Sequence, residues 1–163
     1  MTLLLILAAL IRGPADVESL TAASDVVVHA QVVGRSSAFG VAGGQIFTTV
    51  VLRPIETWKG DPQDEVRVLV AGGEVGDLSQ TVSGMAVFRE GEEVVVFLKR
   101  SARATFGVQR LALGKFAVGA PAGLPKRALR DRRGIDCLQC SPREQDDFAL
   151  DELRARVLGS ARK

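Results

Sequence analysis

Tyrosine is absent from this sequence, and tryptophan and histidine occur once each, as Trp58 and His29. Stacking platforms for single-stranded nucleic acid use several exposed aromatic side chains, so nucleic acid is not expected as a partner. With one histidine, any Ser-His-Asp or Cys-His arrangement has to pass through His29. No Gly-x-Ser-x-Gly elbow stands ready to supply its nucleophile. Two cysteines and that one distant histidine fall short of the four ligands of a structural zinc site. No apolar run approaches the roughly 20 residues of a membrane-spanning helix. Net charge is also missing: the formal value is +2 over 163 residues, so no whole-molecule field recruits an anionic polymer.

Cofactor signatures fail on inspection. Gly72-Gly73-Glu74-Val75-Gly76 lacks the lysine and the hydroxyl residue of a phosphate-binding loop. Gly114-Lys115 runs on into Phe116 and fails likewise. Both are expected in turns or bulges. Glu74 and Asp77 are too few carboxylates to argue for calcium. No catalytic residue, metal or cofactor is therefore expected.

What is present is a folded-domain composition, 47% apolar and 25% charged. Leu3 to Ile11 is a nine-residue apolar run followed by Arg12-Gly13-Pro14-Ala15. That length suits a signal-peptide core, with small residues at Gly13 and Ala15 and a mature chain starting near Asp16. Residues 1–15 are thus expected to direct export to the periplasm or the medium. A buried first strand or helix is the alternative, and the absence of Lys or Arg before the run favours it.

Beyond Asp16 the pattern is mainly β, framed by two helices. Asp16 can cap a short helix over Val17–Ala23. Valine-rich strands are expected over 25–33 and 45–57, with Pro54 marking an edge position or bulge. Glycine and serine make 34–44 a loop. Further strands are expected over 65–71, 81–83, 93–99, 105–113 and 115–118. Residues 16–120 form the β domain, and 121–145 a Pro/Gly/Arg-rich region with a weak hairpin between 127–129 and 135–138. A C-terminal amphipathic helix follows within 146–159, turning Leu150, Leu153 and Val157 inward and ending at Gly159. So many short strands call for closure, because closure hides sheet edges. The expectation is a small closed OB-like barrel with a helix at each end.

The order of elements resembles the netrin-like branch of the OB barrels, the fold of the tissue inhibitors of metalloproteinases. The likeness spans residues 16–118. It rests on the first strand from Ser24-Asp25-Val26-Val27-Val28-His29 and on Trp58-Lys59-Gly60 closing the second. Glu93–Lys99 after its Glu-Gly-Glu turn and the closing Phe106–Leu113 stretch complete it. The chain is also similar to exported bacterial proteins that share the Trp-Lys-Gly-Asp turn and the Gly-Gly-Glu-Val-Gly loop. Those inhibitors chelate a protease zinc through an N-terminal cysteine, and no cysteine lies near Ala15 or Asp16. The resemblance implies a fold and not that inhibition.

Three sets of residues are candidates for function. Cys137 and Cys140 have the spacing of a short-loop disulfide in an oxidising compartment. A redox pair, a shared metal site and free thiols stand as alternatives. A helix capped by Ser141 with Glu144 would follow Cys140, the wrong side for a thioredoxin-like nucleophile at Cys137. Lys126, Arg127, Arg130, Arg132 and Arg133 place five cations in eight residues, either a contact for an anionic polymer or a solvated loop. Trp58 is a possible contact residue, with burial at a strand end as the alternative. His29 shares a strand face with Val27, Gln31 and Val33 and is expected at a surface or interface. The function expected is an exported, non-catalytic binding module for a protein or envelope component. A thiol-redox protein, a protease inhibitor and an anionic-polymer binder are the alternatives.

Overall fold

The computed structural model describes residues 9–11, 13–61, 63–101, 104–133, 135–137 and 146–162. A short strand β1 (Ala9–Ile11) precedes helix α1 (Val17–Ala23). Asp16 caps that helix as expected, its Oδ1 accepting from the Ser19 amide at 2.8 Å, and Val17 and Leu20 are buried. Then come β2 (Val26–Phe39) and β3 (Ile46–Lys59), 14 residues each and antiparallel. β2 runs six residues beyond the predicted strand, through the stretch assigned to a loop. Pairing with β3 supplies what glycine and serine lack in propensity. Pro54 does sit beside an irregularity: the register shifts between His29 and Ala30, leaving Ile55 as the extra residue of β3.

β4 (Val66–Ala71) follows, then a hairpin of β5 (Gly73–Val75) and β6 (Leu78–Gln80) where a plain connection and a strand at 81–83 were expected. β7 (Glu93–Arg100) and β8 (Phe106–Val108) complete the barrel. A 3-10 turn (Leu111–Gly114) leads to β9 (Lys115–Gly119) and β10 (Arg127–Arg130). β11 (Ile135–Cys137), β12 (Asp147–Ala149) and helix α2 (Leu150–Ala161) close the described chain.

The barrel closes through five strands. β2 pairs with β3, β3 with β4, β4 with β8, β8 with β7 and β7 with β2; only β4–β8 is parallel. That is the expected OB-like circuit. The first half of β7 pairs instead with β9, and the sheet continues through β10 to β12. The hairpin expected between 127–129 and 135–138 does not form. β10 joins β9 and β12, while β11 pairs in parallel with β1.

β7 shows why the fold reads as an unbroken apolar run. Val94, Val96 and Leu98 point into the barrel with Val26, Val28, Val50, Val68 and Phe106. Val95 and Phe97 point outward, yet they are as buried, under Phe116, Phe148, Leu20, Leu153 and Val157. A strand covered on both faces has no reason to alternate. One flank of the barrel is therefore sealed by α1, α2 and the β9–β10–β12 extension.

Candidate functional site

His29 lies on that sealed flank, 7% exposed. Its Nε2 is 2.6 Å from Glu93 Oε1, and Lys126 Nζ reaches both oxygens of the same carboxylate at 2.8 Å. The ring is tilted against Trp58, with centroids 5.8 Å apart. Trp58 donates through Nε1 to Glu56 at 3.0 Å, and Arg154 of α2 holds Glu56 from outside. Burial pushes the Glu93 carboxyl up; the Lys126 ammonium and His29 outweigh it and leave the group below the usual carboxylate range. Glu56 is lowered first by Arg154, against burial, with help from Trp58. The chain Lys126–Glu93–His29–Trp58–Glu56–Arg154 thus ties the residue before β10 to β7, β2, β3 and α2. Among the described residues the side chains that meet His29 are Glu93 and Trp58, with no hydroxyl or thiol among them.

Trp58 is 3% exposed, which puts its indole in the packing under α2 and not at a surface. The basic run is divided by β10. Arg127 and Leu129 face outward while Ala128 and Arg130 face in. Arg130 is buried: it donates to the carbonyl of Ala15, pairs with Asp146 at 2.7 Å and lies over the Phe116 ring. Arg127 pairs with Asp147 at 2.7 Å, Arg132 with Asp146 at 2.6 Å, Arg133 with Asp131 at 2.6 Å and Lys126 with Glu93. The five cations do not form one patch. Each meets a carboxylate.

Cys137 ends β11, and Cys140 lies outside the described residues, as does the helix start expected at Ser141–Glu144. Gly72 and Gly73 lead into β5 with φ of +97° and +139°. Among the described residues no three of His, Cys, Asp and Glu gather as metal ligands would.

The opposite flank of the barrel is open. Outward side chains of β3 and β4 meet there as cross-strand pairs, Thr49 with Leu69 and Val51 with Arg67, beside Arg53. No helix covers them: Leu69 is 39% exposed and Ile55 58%. The β2–β3 ribbon extends this surface through Ser36 and Ala38, while Phe39, 48% exposed at the ribbon's tip, lies on the other face with Ile46. Two recesses border the ribbon. One, of 240 Å³ at the barrel mouth, has Val50, Val70 and Phe88 at its floor and Arg35, Glu74 and Gln80 among its polar lining. The other, of 550 Å³, is lined by Arg35, Ser36, Ser37, Glu74, Arg89 and Glu90. Sequence reasoning missed Arg35 and Phe39, because glycine and serine masked their strand. Comparison with known proteins finds no matching family model and no matching curated relative.

Proposed function

We propose that this chain is a non-catalytic binding module whose contact surface is the open flank of the barrel, formed by the β2–β3 ribbon and β4. One observation carries the reading: one flank lies under two helices, while the outer face of β3 and β4 presents Ile55 and Leu69 to solvent beside Thr49 and Val51. Exposed apolar side chains gathered along one surface mark interaction sites, and the corresponding strands of OB barrels are where such domains take ligands. Near-neutral charge, no tyrosine and the netrin-like resemblance favour a protein or envelope component over nucleic acid.

Photo-crosslinking in the producing cell tests this. A benzophenone residue at Leu69 or Ile55 should yield a discrete protein adduct, and one at the exposed Ala155 of α2 should not. Adducts equal at all three positions, or none at Leu69 and Ile55, would overturn the assignment.

Export belongs to this reading and is supported by the nine-residue run before Arg12. Against it stand the β1–β11 pairing and the Ala15 carbonyl, which Arg130 would lose on cleavage. Sequencing the N-terminus of chain recovered from an envelope fraction decides between Asp16 and an uncleaved start. The same sample decides the Cys137–Cys140 disulfide, since an oxidised pair resists alkylation until reduced.

A further inference from the structure

Beyond Val32, one edge of β2 carries no paired strand among the described residues. Its ladder with β7 ends at Val32, whose amide donates to Glu92 and whose carbonyl accepts from Gly91, both at 2.8 Å. The chain then turns away over Arg89–Glu92. Among the described residues no strand pairs with that side of β2 over Gly34–Phe39.

The direction of the free groups follows from their neighbours. The Gly72 amide donates to the Ile46 carbonyl at 2.8 Å, so Ile46 turns its main chain to β4. Its cross-strand partner Phe39 then turns outward. Strict antiparallel alternation puts the N–H and C=O of Arg35, Ser37 and Phe39 on the open edge. The bond from Gly40 to Gln45, at 2.7 Å, fits the same alternation.

Natural sheets blunt such an edge with lysine, proline, a bulge or a cover. The stretch Gly34-Arg-Ser-Ser-Ala-Phe39 has neither lysine nor proline, and its pairing with β3 is regular from Gly34 onward.

We propose that this edge pairs antiparallel with the same edge of a second copy of the chain, about a two-fold axis at Ser37. The sequence is complementary to itself about that point. Gly34 falls opposite the partner's Gly40 and Arg35 opposite the partner's Phe39. Ser36 faces the partner's Ala38. Phe39 is 48% exposed in the single chain. The facing pairs match a cation to an aromatic ring. The recess along the edge carries two cations, Arg35 and Arg89, and two anions, Glu74 and Glu90. A patch balanced this way suits its own two-fold image better than a ligand of one sign. The axis stands perpendicular to the sheet, so both open flanks face the same way. The inference does not depend on the binding role proposed above.

Sedimentation velocity over a concentration series reads the association, with thermal unfolding as the control for folding. The wild type should show a reversible monomer–dimer equilibrium. Phe39→Lys sets a second cation opposite the partner's Arg35 at two symmetric positions, and the dissociation constant should rise about tenfold or more. Phe39→Glu, at the same exposed site, should keep the dimer because it faces Arg35 with a carboxylate. Ser37→Pro removes an amide aimed at the open edge, which a partner strand does not tolerate; it also removes the Ser37–Thr48 hydroxyl contact, whose cost to the single chain the thermal unfolding reads separately. A wild type monomeric at every concentration overturns the proposal. So does equal dissociation by Phe39→Lys and Phe39→Glu, or a dimer that Ser37→Pro leaves intact.

Discussion

The guanidinium of Arg130 lies over the ring of Phe116, 5.1 Å from its centroid, with a side chain only 1% exposed. It is the one member of the basic run that acts as a core residue. Its Nη1 donates to the Ala15 carbonyl and its Nε to Asp146, so it fastens the segment before α1 to β10.

Arg130→Ala should therefore destabilise the fold by about 2–4 kcal/mol, because the Ala15 carbonyl and Asp146 each lose a buried charged donor and Phe116 loses the guanidinium packed on its ring. Arg133→Ala, whose partner Asp131 is exposed, should leave stability essentially unchanged. Chemical denaturation of both variants measures the contrast. Equal losses would mean that the burial of Arg130 is energetically idle.

Trp58 gives the second prediction. Its indole packs with Val27, Val95, Leu153 and Val157 and lies against the His29 ring. Trp58→Ala should cost about 3–5 kcal/mol, the range for removing a buried large aromatic. As the one tryptophan it also reports on the α2 contact, so its emission should be blue-shifted when folded and shift to the red together with the loss of circular dichroism. Red-shifted emission from the native state would place it at a surface instead.

Acid should weaken the same network. Glu93 and Glu56 both titrate below the usual carboxylate range in the fold. A depressed carboxylate binds fewer protons folded than unfolded. Its contribution is complete above the ordinary glutamate value of about 4.3 and is lost as pH falls through the lower folded value. Stability should hold from neutral pH to near that value and then decline. Glu93→Gln should make the decline shallower, as denaturation midpoints taken across the acid range would show.

These residues also mark how far the sequence could be read. Closure, both helices and the Asp16 cap were legible because each leaves a local trace: a valine run, a 3.6-residue period, a side-chain acceptor three residues before its donor. The inward turn of Leu153 and Val157 followed from that same period. The fate of Arg130 did not. Its neighbours suggested a solvated loop, and only the pairing of β10 with β9 and β12 turns it inward. His29 was legible as outward on its strand but not as covered, because Phe148 and α2 reach that flank from more than a hundred residues away in the chain. The open edge at Arg35–Phe39 stayed hidden for the opposite reason. Glycine and serine suggested a loop, and long-range pairing with β3 made it a strand.

Gly73 yields the last prediction. It enters β5 at φ +139°, where a side chain is strained, and a Cβ there would sit 2.3 Å from Thr48 Oγ1 and 2.5 Å from Ser37 Oγ. Those hydroxyls bond each other at 2.8 Å, and Thr48 donates onward to the Gly72 carbonyl. They are short, buried or half-buried, and cannot swing aside as a long side chain would. Gly73→Ala should thus cost more than about 2 kcal/mol and loosen the β5–β6 hairpin from the ribbon. Gly76, at the hairpin turn with φ +58° and open space around it, isolates the backbone part of that cost. Gly76→Ala should lose only about 1 kcal/mol. Hydrogen exchange at Ile46, whose amide is held by the Gln80 side chain at 2.6 Å, reads the hairpin's docking directly. It should accelerate in Gly73→Ala and stay slow in Gly76→Ala, and matched rates in the two variants would refute the steric argument.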